Sequence, residues 1–333
     1  MKNIITILTL MLLTATLQGC ATMGTAVRKI QGEYYQVQGE YYLNRGDFSA
    51  GRTAFAPRLA QFPDDPELNY FMARFELGAD KPEAALPYIQ KAVKLSPANA
   101  DYRFWEGVTF WALMKPDRER AAYEKALAIA PEHSSANLYL AHNMLDRGKN
   151  ADALRLYDKV LSLNPLEPQA MFNTAVALER LKRFTEMKPA LQRYLENYAD
   201  APLARQGVRM LNKAGDFTWR NHIIGMRTIP LRAVDFLPGS ATLTERAATS
   251  LKSVGEILAE KTDLSVHVVA YVKGDNNLAR ERALAVRNFV SREYPEVTPE
   301  RLAPSWFDKP ENIKTDGRTH NLAQSVNIFT KVQ

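Results

Sequence analysis

The chain has 333 residues, 46% of them hydrophobic and 24% charged, with 43 Lys and Arg against 37 Asp and Glu for a formal charge of +6. That length suits two domains, and a mild basic excess with no run of five like charges does not single out nucleic acid as a partner. A single cysteine leaves no partner for a disulfide and no thiolate set for a metal.

Lys2 is the only charge before Arg28, and Ile4 to Leu13 is almost wholly apolar. A basic start, a short apolar core and small residues after it read as an export signal, too short to remain as a membrane span. Leu17-Gln18-Gly19-Cys20 resembles a bacterial lipobox, whose cysteine is acylated and becomes the new N-terminus. The resemblance implies residues 1–19 as signal peptide, Cys20 as the lipidation site and 20–31 as a linker. Losing Lys2 with the signal takes the charge from +6 to +5. Ala21, where retained lipoproteins carry aspartate, implies the outer membrane, with the chain facing the periplasm.

Pro63, Pro97, Pro131 and Pro165 recur every 34 residues, which is a repeat signature. Small residues hold one phase of the same period, at Gly39, Ala73, Gly107, Ala141 and Ala175. Large apolar residues hold another, at Phe55, Ile89, Tyr123, Tyr157 and Leu191. A third phase, Gly51, Ala85, Glu119, Ala153 and Met187, breaks its small-residue rule twice. Two helices approach closely only where one is small and the other supplies a knob. Each proline ends the second helix of a pair. Asn44-Arg45-Gly46-Asp47-Phe48 and Asp146-Arg147-Gly148-Lys149-Asn150 supply the turns. Together with Ala122-Tyr123-Glu124-Lys125-Ala126-Leu127 before Pro131, these residues resemble the tetratricopeptide repeat. About five repeats over 32–200, and a capping helix within Pro202–Gly215, make residues 32–215 an expected α-solenoid.

Such a solenoid has a concave face lined by the first helix of each repeat. In the family's register one stripe of it carries Tyr70, Phe104, Leu138 and Phe172, with Arg74, His142, Leu77, Trp111 and Leu145 nearby. Tyr70, Phe104, Trp111 and Phe172 are the candidate anchors for a peptide or protein partner. The alternative use of such residues is packing between repeats.

After Gly215 the period changes. Ile229 to Phe236 reads as a strand, Thr244 as the N-cap of a helix running from Ala247 to about Lys261, and Leu264 to Val272 as a buried strand. A helix over Asp275–Glu293 and a strand over Ser325–Lys331 complete a β-α-β-α-β order, a small α+β sheet with both helices on one side. Phe236-Leu237-Pro238-Gly239-Ser240-Ala241-Thr242-Leu243, Leu278-Ala279-Arg280-Glu281-Arg282-Ala283 and Val326-Asn327-Ile328 resemble the OmpA-like periplasmic domain, over residues 227–333. The resemblance implies a site for the diaminopimelate side chain of peptidoglycan, with Arg282 holding its carboxylate. A guanidinium fork suits a carboxylate because it donates two parallel hydrogen bonds. The loop Tyr271-Val272-Lys273-Gly274-Asp275 is shorter than the family's, so the family's aspartate position is either occupied by Lys273 or deleted, and Asp275, which lies where the family has asparagine, becomes the candidate replacement. Arg318 and Asn321 match the family's R-x-x-N, while Leu322-Ala323-Gln324-Ser325 lacks the basic pair that follows it. Arg282 reads either as a surviving clamp or as a structural arginine.

The five histidines, His133, His142, His222, His267 and His320, form no metal or catalytic motif, and no phosphate loop or nucleophile elbow is present. The sequence therefore implies no cofactor, no metal and no catalytic residue. It points to a non-catalytic envelope scaffold whose repeats bind a protein and whose C-terminal domain contacts peptidoglycan or another envelope component. The alternative is a peptidoglycan anchor with the repeats as spacer.

Overall fold

The structure, a computed structural model, describes residues 34–330. The signal segment 1–19, Cys20 and the linker 20–31 lie outside the described residues. The chain divides into two compact units, one up to Gly148 and one from Lys149.

The first unit is all helix. A helix over residues 34–44 (α1) is followed by α2 (Phe48–Gln61), α3 (Pro66–Gly78), α4 (Pro82–Leu95), α5 (Ala100–Ala112), α6 (Pro116–Ile129) and α7 (Ser134–Asp146). Local chemistry sets the starts. The side chains of Asp47, Asp65 and Asn99 accept hydrogen bonds from the backbone N–H three residues on, at 3.2, 3.0 and 3.1 Å. Pro66, Pro82 and Pro116 occupy the first helical turn, where a missing N–H costs nothing. The periodic prolines set the stops: α2, α4 and α6 end at Gln61, Leu95 and Ile129, two residues before Pro63, Pro97 and Pro131.

The three sequence phases meet in the packing. Phe55, Ile89 and Tyr123 are 0–1% exposed, as are Ala73 and Ala141. A Cβ on Gly107 would lie 2.2 Å from Tyr123, so hydrogen is the only side chain that fits there. Glu119, the charged exception in the third phase, is buried and accepts from Asn143 Nδ2 at 2.9 Å. The equivalent pair one repeat earlier is Ala85 with Thr109, and before that Gly51 beneath Phe75. A small-on-large contact is thus replaced by a polar pair, in which the Asn143 amide N–H groups serve Glu119 and, at 3.1 Å, the Pro116 carbonyl.

In the second unit α8 (Asn150–Leu163), α9 (Pro168–Arg180), α10 (Phe184–Tyr198) and α11 (Ala204–Lys213) continue the helix pairs. With Ala199 in place of the periodic proline, α10 runs 15 residues where α8 runs 14. Then come β1 (Trp219–Ile224), β2 (Arg227–Arg232), α12 (Glu245–Glu260), β3 (Val266–Val272), α13 (Asn276–Glu293), a 3-10 turn (Pro299–Arg301), β4 (Leu302–Phe307), β5 (Glu311–Thr315), β6 (Arg318–Leu322) and β7 (Gln324–Thr330). In the central sheet β3 pairs parallel to β4 and antiparallel to β7. Ala247, Leu251, Val254 and Leu258 of α12 and Ala283, Val286 and Val290 of α13 share one core with Val266, Val268 and Ala270 of β3.

Several elements differ from the sequence reading. The strand expected over Ile229–Phe236 ends at Arg232, because it pairs with β1, and Phe236 keeps only a single bridge to Leu243. Strand β1, strand β4 and the β5–β6 hairpin are additions to the expected order. The hairpin closes on Asp316 and Gly317, with φ of 48° and 73°, the left-handed pair that a two-residue turn between twisted strands requires.

Candidate functional site

In the second unit a cavity of about 400 Å³ opens beside α13 and β7, lined among others by Arg220, Asp235, Phe236, Arg282, Gln324 and Ser325. Arg282 reaches it from the buried face of α13, where the helical repeat places it beside Ala279 and Ala283, and is 4% exposed. Its Nε donates to the Ser240 carbonyl at 2.9 Å and its Nη1 to Gln324 Oε1 at 2.7 Å. Its guanidinium carbon sits 4.7 Å from the Phe236 ring centroid. All of these partners are neutral. Among the described residues no carboxylate stands within ion-pair distance of Arg282, and burial pulls its pKa below the ordinary arginine value, with only the field of Asp275 opposing.

Asp275 stands at the head of α13. Its carboxylate accepts from Leu278 N at 2.8 Å and caps α13, so the residue chosen as a ligand group serves as an N-cap. The acid that lines the cavity is Asp235, which sequence reasoning missed. Partial desolvation holds its carboxyl above the usual range, against the pull of Arg232 and Arg246. Arg220 is already neutralised: its Nη1 and Nη2 donate to the two Glu311 oxygens at 2.7 and 2.8 Å, and Ser325 Oγ donates to Glu311 at 2.7 Å. That fork fastens the β5–β6 hairpin to β1. Arg318 and Asn321 lie on the hairpin, Arg318 lining a separate recess with Lys213 and His320. They are not brought to Arg282.

The aromatic anchors need a larger correction. Tyr70, Phe104 and Phe172 are 7%, 6% and 3% exposed. Tyr70 packs on Phe71 and Tyr102, with ring centroids 5.0 Å away in both cases. Phe104 stacks on Tyr123 at 5.8 Å, and Phe172 meets Tyr194 edge-on at 5.3 Å. Aromatic rings at this phase fill the space between helices, so they are interior residues. Trp111 alone keeps an open ring, at 57%, and the turn that follows holds Met114 at 86%.

The polar groups beside these rings tie successive first helices together. Arg74 Nη1 donates to Glu40 and, at 3.1 Å, to the Tyr70 hydroxyl, while its guanidinium lies 4.4 Å over Trp105. The Tyr102 hydroxyl donates to Glu67 at 2.6 Å, and His133 Nε2 pairs with Asp101 at 3.1 Å. His142 packs against the Tyr139 ring, and burial lowers its pKa. Among the described residues no three His, Cys, Asp or Glu gather as a metal site, and no helix is long and apolar enough to cross a membrane.

Comparison with known proteins supports the repeats directly. The family model described as tetratricopeptide repeat matches residues 72–134 and 139–202. No curated protein matches the chain. Among solved structures, pilF of Pseudomonas aeruginosa is 18% identical, with 57% of this chain and 87% of that one covered and a TM-score of 0.52. MamA is 20% identical over 50% of this chain and 91% of its own, with a TM-score of 0.44. YrrB, described as a TPR protein with an unusual peptide-binding site, is 14% identical over 50% and 86%, also with 0.44. The chain carries tetratricopeptide repeats, a scaffold type that binds protein or peptide partners, and follows them with small sheets.

Proposed function

We propose that this protein is a non-catalytic, lipid-anchored scaffold of the bacterial cell envelope. Acylated Cys20 holds it in the outer membrane facing the periplasm, the repeats bind a protein partner, and residues 227–333 form a divergent OmpA-like domain that contacts peptidoglycan or another envelope component. One observation carries the envelope contact: Arg282 is a buried cation with neutral neighbours only, on the wall of a 400 Å³ cavity that also holds Asp235. An enclosed charge without a counter-ion is costly in the free protein, and an incoming carboxylate would remove that cost. A ligand with a carboxylate and an ammonium group, such as the diaminopimelate side chain, meets Arg282 with the first and Asp235 with the second.

The full chain should sediment with insoluble peptidoglycan at low salt, and Arg282→Ala should prevent it. Sedimentation that survives the substitution overturns the cavity assignment. For the repeats, cross-linking in cells should recover one defined partner, lost on joint Trp111→Ala and Met114→Ala substitution. Recovery unaffected by that change removes this surface from the reading. The second reading, a wall anchor with the repeats as spacer, is favoured by one observation: three of the four aromatic residues suited to hold a partner are interior.

A further inference from the structure

The first helix carries a face that the rest of the first unit buries. Tyr34, Val37 and Tyr41 lie at i, i+3 and i+7 on one side of α1 and are 48%, 72% and 54% exposed. One 34-residue period later the same positions hold Leu68, Phe71 and Phe75, each 0% exposed. There the second helix of the preceding pair covers them: Phe55 of α2 stands 5.6 Å from Phe71 and 5.2 Å from Phe75. The opposite side of α1 is packed in the ordinary way, with Tyr35 3% exposed against Phe55. So the outward stripe of α1 is a stacking face with no described helix on it.

We propose that this stripe lies on the lipid surface to which Cys20 is tethered, which rests on the reading of Cys20 as an acylated N-terminus. On that reading 14 residues, 20–33, precede Tyr34. The covering helices α2, α4 and α6 are each 14 residues long, and α2 needs residues 62–65 besides to reach α3. The mature segment is too short to supply both a covering helix and its connection. It can, however, span at most about 50 Å when extended, which keeps α1 close to the bilayer. The residue types suit that place. The buried equivalents are Leu and Phe, whereas α1 presents two tyrosines, whose rings prefer an apolar body with a wet end. Arg45 sits 5.3 Å from the Tyr41 ring centroid at the end of the helix, a cation suited to phosphate headgroups. A three-residue stripe binds a free vesicle poorly. Tethering makes the contact intramolecular, and a second weak contact then suffices.

The test uses the acylated full chain reconstituted in phosphatidylethanolamine–phosphatidylglycerol vesicles. Acylation occupies the only native thiol, so Val37→Cys places one nitroxide on the stripe, and Lys125→Cys places one on exposed α6 as a reference. Relaxation by oxygen relative to a water-soluble nickel complex should rise severalfold at position 37 on vesicles and stay unchanged at 125. Adding Tyr34→Asp and Tyr41→Asp should return the position 37 label to water. A label at 37 that stays as wet as the one at 125 overturns the inference while leaving the anchor intact, provided mass analysis finds Cys20 acylated. An unacylated Cys20 overturns both. Shielding that persists in a Cys20→Ser chain without vesicles assigns the stripe to a second copy or to the chain's own N-terminal segment, and overturns the lipid occupant.

Discussion

Replacing Arg282 by methionine separates a ligand-binding arginine from a structural one. The substitution keeps most of the unbranched apolar stem of the side chain but removes the guanidinium group and its charge. It gives up two charge-assisted hydrogen bonds, to Ser240 O and Gln324 Oε1, and the Phe236 ring contact. Both acceptors belong to residues that reach solvent, so water re-satisfies them and the loss is about 1.5 kcal/mol each, the low end for a bond to a charged group. The ring contact adds about 1 kcal/mol. Against these losses, a buried cation that no carboxylate neutralises is removed, and the desolvation of such an ion is worth several kcal/mol. The depressed pKa has the same sign: the fold disfavours the charged form. Arg282→Met should therefore leave stability in urea unfolding within about 1–2 kcal/mol of the parent. Binding behaves differently, because truncating one partner of a desolvated charge pair costs about 2–5 kcal/mol, roughly 30-fold or more. The full-length Arg282→Met chain should fold and fail to sediment with peptidoglycan. A loss of stability above about 3 kcal/mol would show that Arg282 holds the domain together, and the argument from its missing counter-ion would fail.

Gly107→Ala forces a Cβ to 2.2 Å from the Tyr123 ring, and should destabilise by about 1–3 kcal/mol despite the better helix propensity of alanine; Tyr123→Leu in the same chain should recover part of the loss in thermal unfolding. Met114 holds φ at 56° in a turn where Gly46 and Gly148 occupy the same phase, so Met114→Gly should raise stability by up to about 1 kcal/mol, whereas a loss would mean the side chain packs on something. His222 is buried with Nδ1 2.9 Å from the Ile328 carbonyl, and desolvation, aided by Arg220, lowers its pKa to about 4. The unfolded chain binds that proton first, so about 3 kcal/mol of stability should disappear as pH falls from about 6.5 to about 4. His222→Gln should flatten this segment of a urea-unfolding pH profile, and an unchanged slope would assign it to other groups.

How much of this was readable in the sequence follows from how local each determinant is. The helix pairs were, because three side-chain phases of one period meet in one packed layer, as Gly107 under Tyr123 illustrates. The β5–β6 hairpin was also present in the sequence, as Asp316-Gly317 between Ile313-Lys314-Thr315 and Arg318, but a two-residue turn signal is weak beside a 34-residue repeat. Strand β1 had no such signal. It is held by His222, whose ring bonds the Ile328 backbone, and by the Arg220–Glu311 fork across 91 residues. Long-range polar partners leave no pattern in either flanking segment.

The aromatic stripe fails for a different reason. Family register places Tyr70, Phe104 and Phe172 on one face of their helices, and the placement is geometrically sound. Register does not say whether a ring at that phase stands open or is filled by its neighbours, and that depends on volumes. Tyr102 and Phe71 close over Tyr70, and Tyr123 over Phe104, whereas the residues around Trp111 leave its ring uncovered.

The acidic partner of Arg282 shows the same limit at the level of a single carboxylate. Family resemblance favoured Asp275, the one acid in the shortened loop Tyr271-Val272-Lys273-Gly274-Asp275. A side chain at the N-cap position has a closer claimant, the orphan N–H of Leu278, and an aspartate there is worth about 1 kcal/mol to the helix. Rotating the capping oxygen toward a ligand would weaken the cap. Asp235, 47 residues before Arg282, has no such duty: partial desolvation raises its carboxyl pKa, and it lines the same cavity. Asp275→Asn should therefore leave both the start of α13 and peptidoglycan sedimentation unchanged, since asparagine caps as well as aspartate does. Asp235→Asn should reduce sedimentation without a matching loss of stability, because removing a partly desolvated carboxylate relieves a cost. If Asp275→Asn abolishes sedimentation and Asp235→Asn does not, the acid belongs to the loop after β3, and the cavity wall at Asp235 has no part in binding.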